Sequence, residues 1–88
     1  KVHKQYNLNV WPNPTNSNTT ISLNLQNKSN VSVEIVSVAG KIERTNIYKD
    51  TFEGQLNIPV NLENFSDGVY FVKITAGNDL LIKKVIKN

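Results

Sequence analysis

The chain has no cysteine, one histidine, one arginine, one tryptophan and four glycines. Without cysteine there is no disulfide, no thiolate nucleophile and no cysteine-based zinc or iron–sulfur site, so an apolar core must hold the fold alone. The single histidine, His3, stands near the start of the sequence and pairs with no serine in a nucleophile pattern. The carboxylates Glu34, Glu43, Asp50, Glu53, Glu63, Asp67 and Asp79 are scattered singly, without the pairing that general acid–base chemistry needs. These absences read as a protein that is not an enzyme and uses no cofactor. Asn61, Glu63, Asn64 and Asp67 carry oxygen ligands but follow no ordered calcium-loop spacing, and such residues ordinarily make turns, so no metal site is expected.

Long apolar runs are missing too. A membrane helix needs roughly 18 such residues, and the most apolar stretch, Gly68 to Ala76, is short and holds Lys73, so no membrane insertion is expected. No signal peptide is evident, and a start at Lys1 rather than methionine reads as a module cut from a longer precursor. The net charge of +3 comes from dispersed lysines with Arg44 as the sole guanidinium, which disfavours nucleic acid as a partner. One local concentration stands out: Lys83, Lys84 and Lys87 follow Asp79 with no acidic residue among them.

What is present is enough for one domain. At 88 residues with 39% hydrophobic side chains, the chain can bury a single core and lies outside the disordered range. Its apolar residues recur with period two, the spacing that puts side chains on one face of a strand. Seven strands are predicted: Leu8 to Trp11, Thr20 to Leu25, Val31 to Val36, Lys41 to Ile47, Gln55 to Ile58, Val69 to Thr75 and Leu80 to Ile86. Breakers separate them, at Pro12-Asn13-Pro14, Asn27 to Asn30, Ala39-Gly40, Asp50 to Gly54, Pro59 to Gly68 and Gly77-Asn78. Only Pro59 to Gly68 approaches the length of a parallel crossover, so the expectation is all-β, a seven-stranded antiparallel immunoglobulin-like β-sandwich.

The last two strands flank Gly77-Asn78, a pair suited to a hairpin turn. In that register Tyr70, Val72, Ile74, Leu81 and Val85 share the core face with Lys83, while Val69, Phe71, Ile82 and Ile86 share the other with Lys73 and Lys84. The second face is unusually apolar for a solvent face and is a candidate docking surface. Pro-Asn-Pro restricts φ at both prolines and pushes Asn13 out of the α region, so it reads as a stiff, extended exit from the first strand. Tyr70, two residues after Gly68, fits a tyrosine corner with a partner in Asn61 to Ser66. Gly40 and Gly68 read as turn glycines.

Val10-Trp11-Pro12-Asn13-Pro14, then the strand and turn Val31 to Gly40, then Gly68-Val69-Tyr70, and last Leu81-Ile82-Lys83-Lys84-Val85-Ile86, stand in an order that resembles the type A C-terminal sorting domain of the type IX secretion system. The resemblance spans Tyr6 to Asn88. Trp11 departs from it, since the family more often has tyrosine there, another aromatic with a polar handle. The resemblance implies a non-catalytic secretion signal at the C-terminus of a cargo protein, read by an outer-membrane translocon and removed by a surface sortase-like protease. Residues 1–5 are then a linker remnant and 6–88 the sorting domain. The implied route runs through the periplasm to the cell surface or medium, with the domain a monomer. Trp11, Pro12, Asn13, Pro14, Gly40, Gly68, Val69 and Tyr70 carry the family pattern, and Val69, Phe71, Ile82, Lys83, Lys84, Ile86 and Lys87 are the candidate docking set. The rival reading is a fibronectin-like or carbohydrate-binding accessory module, for which Tyr6, Trp11, Tyr48 and Phe52 would supply sugar-stacking rings.

Overall fold

The computed structural model describes residues 6–88, and the side chains of all of these except 46–52. Five strands follow in chain order: β1 (Asn9–Trp11), β2 (Asn18–Ser37), β3 (Ile42–Asn61), β4 (Gly68–Ala76) and β5 (Asp79–Lys87). All strand pairings between them are antiparallel. Among the described residues the expected seven strands are five, because β2 and β3 are each one continuous strand of 20 residues where two were expected.

The seven segments survive inside the five strands. The first half of β2 pairs with β1 (Val10 opposite Ile21) and with the second half of β3 (Ile21 opposite Ile58). Its second half pairs with the first half of β3 (Glu34 opposite Thr45) and with β4 (Val33 opposite Ile74). β5 then closes the second sheet against β4. The expected break at Asn27 to Asn30 is instead a stretch of irregular register, with shifts between Leu25, Ser29 and Val31. Extra residues of this kind bend and twist a strand without ending it, which lets one strand serve two sheets. The expected break at Asp50 to Gly54 likewise falls within β3.

Alternation decides which face is buried. Along β2, Thr19, Ile21, Leu23, Leu25, Val31, Val33 and Ile35 are buried; along β4, Tyr70, Val72, Ile74 and Ala76. These join Val10, Ile58, Val60, Leu62 and Val85 in one cluster drawn from both sheets, so the sheets pack face to face as a sandwich. Burial of a side chain such as Ile21 or Ile74, both with no exposed surface, stabilises by about 1.5–3 kcal/mol. Pro59 lies within β3, a place open to proline because β3 has β2 as its sole partner among the described residues. No described helix is long and apolar enough to cross a membrane.

Candidate functional site

The Pro-Asn-Pro segment lies against the last strand. Rather than the extended exit expected, residues 12–14 form a bend in which the Trp11–Pro12 and Asn13–Pro14 peptides are both cis. The bend aims the Asn13 amide at β5: its Nδ2 donates to the Lys84 carbonyl at 2.8 Å, and its Oδ1 accepts from the Ile86 N–H at 3.0 Å. Thr15 continues the contact. Its N–H donates to the Ile86 carbonyl and its carbonyl accepts from the Asn88 N–H, each at 2.9 Å, which makes a parallel bridge between Thr15 and Lys87. One asparagine and one threonine thus bond the outward backbone groups of β5 from Lys84 to Asn88. Sheet edges left open invite pairing with other chains, and here the motif covers half of one.

Two threonines hold that bend, and sequence reading did not single out either. Thr19 is buried and donates its hydroxyl to the Pro12 carbonyl at 3.0 Å. Thr15, also buried, donates its hydroxyl to the Asn18 carbonyl at 2.6 Å and accepts from the Ser17 N–H. Buried hydroxyls need such partners, but their partners lie across a turn whose course the spacing did not reveal. Trp11, Pro12, Asn13 and Pro14 are themselves exposed, Trp11 by half of its surface.

Across the same end of the sandwich the tyrosine corner is present: the Tyr70 hydroxyl donates to the Ser66 carbonyl at 2.6 Å, within the segment expected to hold its partner. The Phe65 ring packs against Tyr70 with centroids 5.3 Å apart, and the Arg44 guanidinium lies over Phe65 at 5.9 Å. Gly68 has φ +152° and Gly40 φ +87°, backbone that side-chain-bearing residues rarely adopt. The Gly40 N–H closes a turn on the Ser37 carbonyl at 2.9 Å, and the Val69 carbonyl accepts from Val38.

The hairpin faces fall as the alternation predicted. Tyr70 stands opposite Val85, Val72 opposite Lys83 and Ile74 opposite Leu81 on the core side, although Leu81 is only half-buried and Lys83 is exposed. On the outer side Val69 faces Ile86, Phe71 faces Lys84 and Lys73 faces Ile82; Val69, Phe71 and Ile86 are half-buried, while Ile82 is 53% exposed.

Lys87 departs from expectation. Rather than joining Lys83 and Lys84 in an exposed basic tail, it shares the inward face with Val85, is buried, and reaches Asp67 at 3.3 Å. Its stem fills the end of the core while the ammonium meets a carboxylate, a common compromise for lysine. The parity of β5 put Lys87 on the core face; Asp67, twenty residues earlier, is the partner that linear spacing did not disclose.

At the opposite end, Tyr6 ties the start of the domain to the hairpin. Its carbonyl accepts from the Asn24 N–H at 2.6 Å, and its hydroxyl donates to the Asp79 carboxylate. Burial first, then the hydrogen bond and negative charge of Asp79, push the Tyr6 phenol up to about 12 from 10.0. A folded-state value above the unfolded one gives stability that is fully present below pH 10 and is lost as pH rises toward 12. Denaturation of wild type and Tyr6→Phe across pH 9–12 should show this loss in the wild type and not in the variant; parallel pH curves would contradict it.

No group of three or more metal-ligating side chains comes together among the described residues. Of the rings proposed for sugar stacking, Tyr6 is half-buried and bonded to Asp79, and the side chains of Tyr48 and Phe52 lie outside the described residues. Trp11 is exposed by half of its surface.

The architecture is thus an antiparallel β-sandwich whose polar motifs serve its own edges and corners. A family model for the secretion system C-terminal sorting domain matches residues 9–88, and the chain belongs to that family. Comparison with curated proteins finds no match. The chain is a C-terminal sorting signal of type IX secretion, and the accessory-module alternative has no support. Sorting domains of this kind are in general non-catalytic. The domain type implies fusion to a cargo protein, handling by the type IX system, and export to the cell surface or medium.

Proposed function

We propose that the domain is the folded address by which an N-terminally attached cargo, after passing through the periplasm, is selected at the outer-membrane translocon, and that a surface sortase-like protease then removes it. The family match over residues 9–88 carries this reading. The surface offered for recognition is the outer face of the β4–β5 hairpin, where Val69, Phe71, Ile82 and Ile86 lie beside the exposed Lys84, with Lys83 projecting from the other side of β5. Half-exposed apolar side chains next to lysines fit a partner that is partly apolar and partly acidic. Lys87 drops out of the set because it is buried against Asp67.

The tie at Tyr6 supports a boundary between a linker, residues 1–5, and the domain, residues 6–88. The Tyr6 carbonyl is bonded to Asn24 of β2 and Asn9 to Trp11 pair with β2, whereas a protease needs extended, unpaired chain. Cleavage therefore falls at or before Tyr6. Mass spectrometry of the released domain should give an N-terminus no later than Tyr6; a cut beyond Leu8, inside the packed region, would overturn this boundary.

A further inference from the structure

The outer edge of β5 is covered over only part of its length. Successive residues of a strand point their N–H and C=O groups alternately to the two sides. Lys84 C=O, both groups of Ile86 and the Asn88 N–H face Asn13 and Thr15, so the even-numbered residues face outward. By the same alternation the backbone groups of Leu80 and Ile82 and the Lys84 N–H face outward as well. Among the described residues β5 has no strand partner besides β4, and the one bridge on its outer side is that of Thr15 with Lys87. Over Leu80 to Lys84 the edge is open, and Leu80 and Ile82 are 59% and 53% exposed.

We propose that this open stretch, Leu80 to Lys84, takes up an extended, carboxylate-bearing strand of the type IX machinery, which adds one strand at the β5 edge of the sheet. The proposal rests on the reading of the domain as a translocon-recognised address and specifies how it is read. Three observations select this occupant. The outward backbone groups supply hydrogen bonds that only an extended chain satisfies in series. Lys83 and Lys84 stand on opposite faces of the strand, both exposed, so carboxylates of an added strand meet a cation on either face. Between Leu80 and Lys84, Ile82 gives an apolar contact on the outer face, continuous with Phe71 and Val69. A second copy of the chain fits less well, because two β5 edges paired antiparallel about Ile82 set Lys83 and Lys84 opposite Leu81 and Leu80 and give neither lysine a carboxylate directly across. The far edge of the same sheet, the first half of β3, carries Glu43 beside Arg44 and has no single sign of charge to offer.

The Asn13 contact sets the limit of the proposed site. It ends at Lys84, whose C=O is already taken, so an incoming strand pairs with β5 and then meets Pro14 and Asn13 rather than continuing to Asn88.

The test uses the whole chain fused to a periplasmic reporter in a type IX-competent host. Ile82→Pro removes an outward N–H and leaves the groups facing β4 in place, a substitution that edge strands accept. Export is expected to fall about tenfold with the melting transition retained. Lys83→Glu with Lys84→Glu, which leaves the backbone untouched, is expected to do the same. Should Ile82→Pro fail to fold, hydrogen exchange on the wild-type chain decides: the Ile82 and Lys84 amides are expected to slow when purified translocon is added. A folded Ile82→Pro chain exported at the wild-type level, or exchange at Ile82 unchanged by translocon, overturns strand addition while leaving the sorting role intact. Failure of the wild-type fusion to be exported instead overturns the reading on which the proposal rests. Self-association of the free chain that protects Ile82 would also overturn the assignment, in favour of a second copy.

Discussion

Ile74→Ala is expected to cost about 2–5 kcal/mol, the range for truncating a fully buried isoleucine. Ile74 has no exposed surface, stands in β4 between Val33 of β2 and Leu81 of β5, and belongs to the cluster that joins the two sheets. The loss is severe because a domain of this size has about 4–13 kcal/mol in total. At roughly 4–8 °C per kcal/mol for a domain of 60–100 residues, the transition should move by at least about 8 °C. Chemical denaturation and thermal melting measure it directly. A cost below about 1 kcal/mol would mean that the site collapses around the truncation, contrary to a close-packed single core. Lys84→Gln, on the exposed outer face, should change stability by less than about 0.5 kcal/mol and serves as the comparison.

Gly68→Val is the second large effect, and its cause is backbone rather than packing. At φ +152° a valine is strained whatever room it has, and a Cβ at Gly68 would meet nothing within 4 Å. The expected loss is about 1–3 kcal/mol, with the structure kept. Because Gly68 opens β4 opposite Lys87 and two residues before Tyr70, the strain falls where the Lys87–Asp67 pair and the tyrosine corner meet. An unchanged melting midpoint would show that the chain reaches an ordinary extended conformation there at no cost.

Strand positions were legible because side-chain alternation is a local property. Ile21, Leu23 and Leu25, Val31, Val33 and Ile35, and Tyr70, Val72 and Ile74 each announce their inward face by period two. Continuity was not legible. The polar run Asn27 to Asn30 contains no apolar side chain and reads as a loop, yet the backbone goes on pairing through a register shift, with Ser29 opposite Phe52 more than twenty residues away. Pro-Asn-Pro shows a comparable gap. Its stiffness follows from proline chemistry, but the bonds from Asn13 to Lys84 and Ile86 span over seventy residues, and only the folded topology brings them together. The ordered motif set was more telling than any one of its residues, since the family match spans residues 9–88.

The central claim, that this sandwich is a sorting signal for type IX secretion, is tested most directly by transplantation. Residues 1–88 fused to the C-terminus of an unrelated periplasmic reporter, expressed in a type IX-competent strain and in a translocon-deficient one, give the decisive comparison. The reporter should reach the cell surface or medium in the first strain and stay in the periplasm of the second; equal retention in both would contradict the account.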